Sequence, residues 1–368
     1  MKKNSLIVIL IFLTVNLTYS ETLRVYKPAR ILGMGTDFIT DASCYDGFFV
    51  NPALLGIMEN KKFITALDLR IGCNKTMEIK DLLQSAMDDS TDLEDLSTWT
   101  SLLGLACDVD LAGPLMFGIV KDNFAVGFSH VTYGTADFAG ISNFKAFAGM
   151  DFRFDFGYGR QVFNANGHSI SVGGTIRFFL INRISVTADL SKFSTDIMNA
   201  LEELLLINTG FGVGFDVGLL YRCHDFLSVG LSWVDAASPY GLKNMVSGDR
   251  KFGLLQNNLT LGLGFHIPVD WSKGVISKWN VMMDLCNIVQ VFDKNYRNPW
   301  LNLAVGMEIE LFKWLSLRTG MSELYWHTGI GFGIKMFKID FAVFGRELSG
   351  EPGSRPQFDM ALSFRFVQ

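Results

Sequence analysis

The sequence predicts an all-β fold, a 14-stranded antiparallel transmembrane β-barrel with an N-terminal hatch in the lumen and two helical extracellular loops. Three observations lead to this prediction. The composition is apolar although no segment is long enough for a spanning helix. Apolar and polar residues alternate with a period of two, and short turns alternate with long loops.

The composition is unusual for a chain that begins like a secreted protein. Lys2 and Lys3 precede an apolar run from residue 6 to 15 and a short polar stretch that ends at Ser20, which is the layout of a signal peptide. Of the 368 residues, 49% are hydrophobic and 13% aromatic. After residue 20, no apolar run reaches the roughly 18 charge-free residues of a spanning helix. The chain is therefore either a large soluble β-protein or a barrel, whose strands need only about 9–11 residues each.

Period-two alternation favours the barrel. In the last segment, Phe358 and Met360 would face one side, and Asp359 and Arg365 the other. The polar face is rich in glycine and carries charges of both signs, which suits an enclosed lumen better than the wet face of a sandwich. The same pattern recurs in 150–158, 211–221, 301–311 and 326–336, and Trp233, Trp279, Trp300 and Trp326 lie near strand ends where a bilayer interface would be.

Fourteen segments are predicted as strands, an even number that lets an antiparallel barrel close with both ends on one side. They are 62–71, 106–120, 123–133, 144–161, 168–182, 209–223, 226–236, 257–268, 277–290, 299–312, 315–323, 326–337, 339–347 and 357–367.

Turns rich in Asn, Asp and Gly alternate with long loops along the chain, as in barrels with periplasmic turns and external loops. The predicted turns are 121–123, 164–167, 223–225, 313–314 and 337–338, and the predicted loops are 72–105, 134–143, 183–208, 237–256, 291–298 and 348–356.

The N-terminal residues 21–61 show no strand pattern. Their apolar side chains favour a place inside the lumen, because an arm that dangles in water would be more polar. The predicted division is therefore a signal peptide at 1–20, a hatch or plug at 21–61 and a barrel at 62–368.

This segment resembles the N-terminal hatch of FadL-type outer-membrane transporters, a superfamily that includes PorV-like shuttle proteins. About 30 residues carry the resemblance: the run 29–35 (ARILGMG), then Asp41-Ala42-Ser43, then 51–56 (NPALLG). The chain departs from the family pattern at Thr36-Asp37, where a second Gly-Ala pair would be expected. The predicted hatch-motif residues are Gly33, Gly35, Asn51, Pro52 and Ala53.

The resemblance implies a bacterial outer-membrane channel for long-chain fatty acids or other hydrophobic small molecules. In that family, ligand captured among the outer loops passes to a barrel pocket and leaves when the hatch shifts, often sideways through the wall. The alternative is a non-transporting, PorV-like partner that binds secreted or surface proteins. A continuous apolar pocket behind the hatch would favour the channel.

Two predicted outer loops, 77–103 and 191–207, carry helical spacing of apolar residues. These side chains either form a ligand-capture groove or pack on each other as a lid over the barrel, and both can hold together. The candidate capture residues are Leu82, Leu83, Met87, Leu96, Trp99, Phe193, Ile197, Leu201 and Leu204.

Five cysteines show no metal-ligand spacing and are interpreted mainly as small buried hydrophobes. A disulfide between Cys73 and Cys107 would staple the base of the first long loop. Lumen arginines such as Arg177, Arg318 and Arg365 are expected to pair with internal carboxylates. The alternative is that they bind the carboxylate of a ligand.

No motif indicates catalysis, a metal or a cofactor, and the net charge of −5 argues against nucleic acid. The expected partners are a hydrophobic small molecule such as a fatty acid, outer-membrane lipid and the barrel-assembly machinery, and the expected state is a monomer.

Overall fold

The computed structural model describes residues 27–41, 47–74, 103–113, 116–140, 143–188, 206–291 and 297–368. The predicted signal peptide, Cys44 and nearly all of both helical loops lie outside these residues. No helix within the described ranges is long and apolar enough to cross a membrane.

Within the described residues, seventeen β-segments form one antiparallel sheet that closes on itself through the pairing of the first with the last. They are β1 (Lys61–Cys73), β2 (Ala106–Ala112), β3 (Met116–Lys121), β4 (Phe124–Gly140), β5 (Asn143–Ala165), β6 (His168–Ala188), β7 (Leu206–Cys223), β8 (Leu227–Ala237), β9 (Pro239–Asn244), β10 (Arg250–Leu254), β11 (Asn258–His266), β12 (Ile276–Leu285), β13 (Leu303–Leu311), β14 (Leu315–Ser322), β15 (Tyr325–Ile334), β16 (Phe337–Glu347) and β17 (Pro356–Val367).

Three pairs of consecutive segments are single strands with an interruption, so the barrel has fourteen strands. Both β2 and β3 pair with β1 on one side and β4 on the other. In the same way, β8 and β9 form one strand that pairs with β7 on one side. On its other side this strand pairs with β11 and β10, which together form the next strand. Every strand therefore has two neighbours, and no edge would be exposed to lipid.

All fourteen predicted strands correspond to observed ones, but two predicted loops are wrong. Residues 134–140 and much of 237–256 are strand, because β4 and β5 pair as far as Gly140 and Asn143 and β9 and β10 form a hairpin. In the first of these segments the alternation is weak, since Gly134 and Ala136 stand where the outer face would otherwise carry large apolar side chains.

Smaller corrections concern strand ends. Residues Ile288–Val291 form a helical turn and Pro299–Asn302 a 3₁₀ turn, although 288–290 and 299–302 were predicted as strand. The turn before β16 is at 335–336 instead of 337–338. In these places a local turn satisfies the backbone hydrogen bonds that a strand would have made with its neighbour.

The two faces of the wall follow the predicted alternation. In β17, Phe358 and Met360 are 59% and 55% exposed on the outside, whereas Asp359 and Arg365 are fully buried inside. The outer face thus forms an apolar belt for lipid contact. Of the predicted interface tryptophans, Trp300 and Trp326 are 66% and 75% exposed, while Trp233 and Trp279 are half-buried.

The two ends of the barrel differ in the connections between their strands. The turn end holds the start of β1, the end of β17 and the tight turns at 122–123, 166–167 and 224–226. The loop end holds the long connections, including the one that follows Cys73. Cys73 and Cys107 face each other across β1 and β2 and are joined by the disulfide that the sequence analysis considered.

Candidate functional site: the plugged lumen

Residues 27–41 and 47–58, called the plug from here on, pack against the inner wall on widely separated sides of the barrel. The short helix Ala29–Leu32 contacts β15, β16 and β17. The 3₁₀ turn Pro52–Gly56 contacts β5, β6 and β7. Most plug side chains are buried, with Phe38 and Leu54 at zero exposure. The segment therefore spans the interior.

Asn51 fixes the local fold of the plug. Its side-chain oxygen accepts a hydrogen bond from the backbone N–H of Ala53 (3.0 Å), which caps the 3₁₀ turn. Its amide nitrogen donates to the carbonyl of Ile39 (2.7 Å) and so ties the two halves of the plug together. The Ser232 hydroxyl of β8 donates to the neighbouring carbonyl of Val50. The Asn-Pro-Ala motif is thus buried and held by both plug and wall.

Lumen-facing glycines form a seat for the plug backbone. A Cβ added at Gly173 or Gly320 would overlap the carbonyl oxygen of Pro52 or Met34, respectively. Only a residue without a side chain allows this approach. The seat glycines, each of which would place a Cβ within about 3 Å of a plug atom, are Gly127, Gly157, Gly159, Gly173, Gly218, Gly230, Gly262, Gly264, Gly306, Gly320 and Gly329.

The predicted hatch-motif glycines belong to the same contact. A Cβ on Gly33 would lie 3.0 Å from the Cα of Gly329, so two glycines meet where the plug touches β15. Gly35 has a φ of +73° and lies under the ring of His327. It needs glycine for backbone conformation and for space. His327 in turn places Nδ1 2.6 Å from the carbonyl oxygen of Leu32.

A buried ionic network, called the ionic latch below, joins the plug to the wall towards the turn end. Arg30 binds Glu308 of β13 through two hydrogen bonds of 3.0 and 2.7 Å and also reaches Asp41 at 3.1 Å. Lys278 of β12 lies 2.8 Å from Asp41 and 3.0 Å from Glu308. Arg318 of β14 pairs with the same Glu308 at 2.8 Å.

The charge balance of the latch explains the state of Asp41. Burial raises the pKa of this carboxyl, but Lys278 and Arg30 lower it more, so the net pKa is well below its ordinary value. Asp41 is therefore ionised and holds two cations from different elements. On the other side of the plug, Asp37 lies 2.7 Å from Lys27 and raises the pKa of that lysine.

The plug borders two cavities. The larger, about 390 Å³, lies towards the loop end, and Ile31 and Leu32 form part of its wall. The smaller, about 120 Å³, is lined by Arg30 and Lys278 on the turn side. The helix Ala29–Leu32 thus stands between them.

The lining of the larger cavity is mixed. Ile31, Leu32, Val131 and Phe344 give it an apolar part. Charged side chains form the rest, and these are Lys27, Asp37, Asp68, Arg70, Asp110, Arg297, Glu323, Arg346 and Glu347. This cavity is therefore not the continuous apolar pocket expected for a channel.

The other lumen charges pair internally, as expected. Arg177 is fully buried and contacts three carboxylates, those of Asp155 (3.0 Å), Asp216 and Asp235 (2.7 Å). Arg365 lies 2.7 Å from Asp68. These contacts favour a structural role over the alternative of a ligand carboxylate.

The candidate ligand-capture residues Leu82, Leu83, Met87, Leu96, Trp99, Phe193, Ile197, Leu201 and Leu204 lie outside the described residues. The contact of the seat glycines with the plug, the ionic latch and the role of His327 were not predicted from the sequence. Strand glycines on the polar face were the one available signal for the seat.

No protein-family model matches this chain, and no curated protein matches it. Solved structures do resemble it. The toluene transporter TodX of Pseudomonas putida is 13% identical, with 95% of this chain and 99% of that chain covered and a TM-score of 0.47. The corresponding values for the monoaromatic hydrocarbon channel CymD are 13%, 95%, 98% and 0.49.

A FadL homologue of Pseudomonas aeruginosa is 11% identical, with 95% of this chain and 99% of that chain covered and a TM-score of 0.45.

Proposed function

We propose that this protein is an outer-membrane channel for hydrophobic small molecules, in which the plug acts as the hatch. The observation that carries the proposal is the position of the helix Ala29–Leu32 between two cavities inside a closed, lipid-facing barrel. A shift of this helix would join the cavities. The division into a signal peptide (1–20), a hatch (21–61) and a barrel (62–368) is part of this proposal.

The attachment of the plug supports a hatch that can move. It is held by hydrogen bonds and ion pairs and lies against glycines. An opening that lets Arg30 and Asp41 separate from the wall would need water or ligand to replace their partners, since unpaired buried charges are costly. We therefore propose a closed resting state and opening coupled to ligand entry.

The substrate class extends from long-chain fatty acids to small aromatic hydrocarbons. The apolar part of the larger cavity, around Leu32 and Phe344, suits the hydrophobic portion of either.

Transport is tested in intact Gram-negative cells with and without the protein in the outer membrane, because toluene and long-chain fatty acids dissolve in a plain phospholipid bilayer and cross it unaided. We expect faster entry of a long-chain fatty acid or of toluene when the protein is present, while a hydrophilic sugar of similar size enters no faster. Lipid extraction and native mass spectrometry of the detergent-purified protein should show a co-purified acyl chain. Equal entry with and without protein for both solutes, together with an empty barrel, would contradict the channel.

The charged lining of the larger cavity favours a second candidate, a non-transporting partner protein. A plug locked by buried ion pairs would suit a barrel whose outer loops bind a secreted or surface protein. In that case the protein does not change the uptake of either solute, and cross-linking of outer loops in intact cells captures a defined secreted protein.

A further inference from the structure

The hairpin of β9 and β10 carries two cations that oppose each other at the loop end of the barrel. Lys243 of β9 pairs directly with Arg250 of β10, and on its other side with Thr209 of β7. Both charged side chains are exposed. Within the described ranges, neither of them forms an ion pair. Because like charges directly opposite each other weaken the pairing of two strands, this position favours an anion between them.

The register of the hairpin places this pair on its outer face. Leu242, the residue before Lys243, is buried inside the barrel in a cluster with Phe179 and Tyr240. Since successive side chains of a strand point to opposite faces, Lys243 points outward, and its direct partner Arg250 does the same. The two cations therefore lie on the side of the wall that meets the membrane.

Two aromatic rings lie next to the cations, on the side towards the middle of the wall. Phe211 of β7 and Phe252 of β10 both oppose Gly241 of β9, and Lys243 is the next outward residue on that strand. The two rings are 70% and 82% exposed. The Phe252 ring leans over Gly241, where a Cβ would lie 3.1 Å from it. The outer face thus has an apolar strip with two cations at its loop end.

The tip of the hairpin keeps this arrangement in place. The side-chain oxygen of Asn244 accepts hydrogen bonds from the N–H groups of Val246 (2.8 Å) and Ser247 (2.9 Å). The N–H of Asn244 donates to the carbonyl of Asp249 at 2.8 Å. Asp249 precedes Arg250 in the chain, but its carboxylate accepts a hydrogen bond from the Ser247 hydroxyl at 2.7 Å. The acid of the tip therefore helps to close the turn.

We propose that Lys243 and Arg250 bind the phosphate of one anionic membrane lipid, whose acyl chains lie along Phe211 and Phe252. A guanidinium can bind two phosphate oxygens at once, and the ammonium adds a second positive charge. The order of the two rows fits a lipid of the leaflet at the loop end, with its head group towards the loops. Charge selects this partner, because an uncharged one would leave the opposed cations uncompensated. The site depends on the membrane location of the barrel and not on transport.

Lys251 provides a matched control. It is an exposed lysine next to Arg250 in the same hairpin. Its direct partner is the inward-facing Leu242, so that Lys251 lies on the opposite face from the proposed site. A general attraction between the basic hairpin and an anionic lipid would involve Lys251 as much as Lys243, whereas the proposed site does not involve it.

The test is native mass spectrometry of the full-length protein in neutral detergent, titrated with dioleoyl phosphatidic acid or with phosphatidylcholine of the same acyl chains. We expect one molecule of phosphatidic acid to bind at least about 10-fold more tightly than phosphatidylcholine. Lys243→Ala and Arg250→Ala should each weaken the binding of phosphatidic acid by about 10-fold or more, and Lys251→Ala should leave it unchanged. Glycerol 3-phosphate, which lacks acyl chains, should not displace the lipid at equal concentration.

Thermal unfolding without added lipid shows that the variants are folded. Lys243→Ala and Arg250→Ala should unfold no earlier than the wild type, because each removes one of two opposed cations. The proposal is overturned if both lipids bind equally, if Lys251→Ala weakens binding as much as Lys243→Ala, or if glycerol 3-phosphate competes as well as the lipid. It is also overturned if the charge variants lose a dimer but bind lipid as before, since a second copy of the chain would then cover this face.

Discussion

Arg30 of the plug and Glu308 of β13 form a two-bond ion pair inside the barrel, with Nε to Oε1 at 3.0 Å and Nη2 to Oε2 at 2.7 Å. The same carboxylate also binds Lys278 and Arg318, so one wall residue compensates three cations. The ionic latch therefore depends on Glu308 more than on any one of its partners, because its loss removes one carboxylate from three cations at once, so that Arg30 and Lys278 share Asp41 and Arg318 keeps Asp340.

Glu308→Gln should destabilise the protein by about 3–5 kcal/mol, the usual effect of removing one member of a buried ion pair. Urea unfolding of the vesicle-inserted protein, followed by tryptophan fluorescence, measures it. Glu59→Gln is the control, since the Glu59 side chain is 87% exposed and lies 3.9 Å from Lys61. That change should stay within about 1 kcal/mol. Equal effects of both substitutions on stability would show that the ionic latch does not stabilise the protein.

Gly320→Ala should displace the plug, because the new Cβ would overlap the carbonyl oxygen of Met34. We expect higher conductance in planar bilayers, faster proteolysis of the plug, and a destabilisation of about 1–3 kcal/mol.

Gly333→Ala is the matched control on the inner face of the adjacent strand. Its Cβ would meet only the Cγ of Lys338, at 3.9 Å. Conductance and stability should stay at the wild-type level, within about 0.5 kcal/mol. If Gly320→Ala behaves like this control, the plug does not rest on the glycine seat.

The strands were predictable because the alternation of apolar and polar residues within each strand identifies its outer and its inner face. Phe358, Asp359 and Met360 alternate in the sequence as they do in the wall, and neither a partner strand nor the plug is needed to recognise it. The interruption that separates β2 from β3 within one strand was not predictable. It occurs at Gly113, with a φ of +87°, where the opposite strand β1 has a bulge after Thr65. Such a defect depends on two strands together.

The site was predictable only in part. The motif glycines and Asn51 stood out because of the family resemblance, but their partners lie far along the chain. Arg30 and Glu308 are 278 residues apart, and nothing in either neighbourhood indicates the other. In the same way, Thr209 and Lys243 come together only through the register of β7 and β9.

Acid should loosen the plug through Asp41. Since its pKa is lower in the folded protein than in the unfolded chain, its contribution to stability is complete above the unfolded value of about 3.9. This contribution decreases as the pH falls below that value and is lost below the folded pKa. We expect bilayer conductance to rise as the pH is lowered from about 4.

Asp41→Asn provides the comparison for this pH dependence. The variant should conduct more at neutral pH, because Arg30 and Lys278 lose a charged partner. Its conductance should then change less between neutral pH and about pH 3 than that of the wild type. A wild-type conductance that is constant over this interval would show that the Asp41 contacts do not hold the plug.

The disulfide between Cys73 and Cys107 closes a loop of 34 residues at the loop end. Replacing both cysteines by alanine should lower stability by about 2–4 kcal/mol, mainly because the unfolded chain gains freedom. Mass spectrometry of peptides from the non-reduced protein should show the linked pair. The variant should keep its heat-modifiable gel mobility, since the strand pairing does not depend on this bond. Free thiols at both positions in the protein isolated from cells would show that this disulfide does not form.

Asn51→Asp separates the two hydrogen bonds that the Asn51 side chain makes. The carboxylate has nearly the same shape and still accepts from the N–H of Ala53, so the cap of the 3₁₀ turn is kept. It no longer donates to the carbonyl of Ile39 and instead places a negative charge 2.7 Å from that oxygen. We expect a loss of about 1–3 kcal/mol and faster hydrogen exchange in the plug, whereas the barrel strands exchange as before. Unchanged exchange in the plug would mean that the bond between Asn51 and Ile39 does not join its two halves.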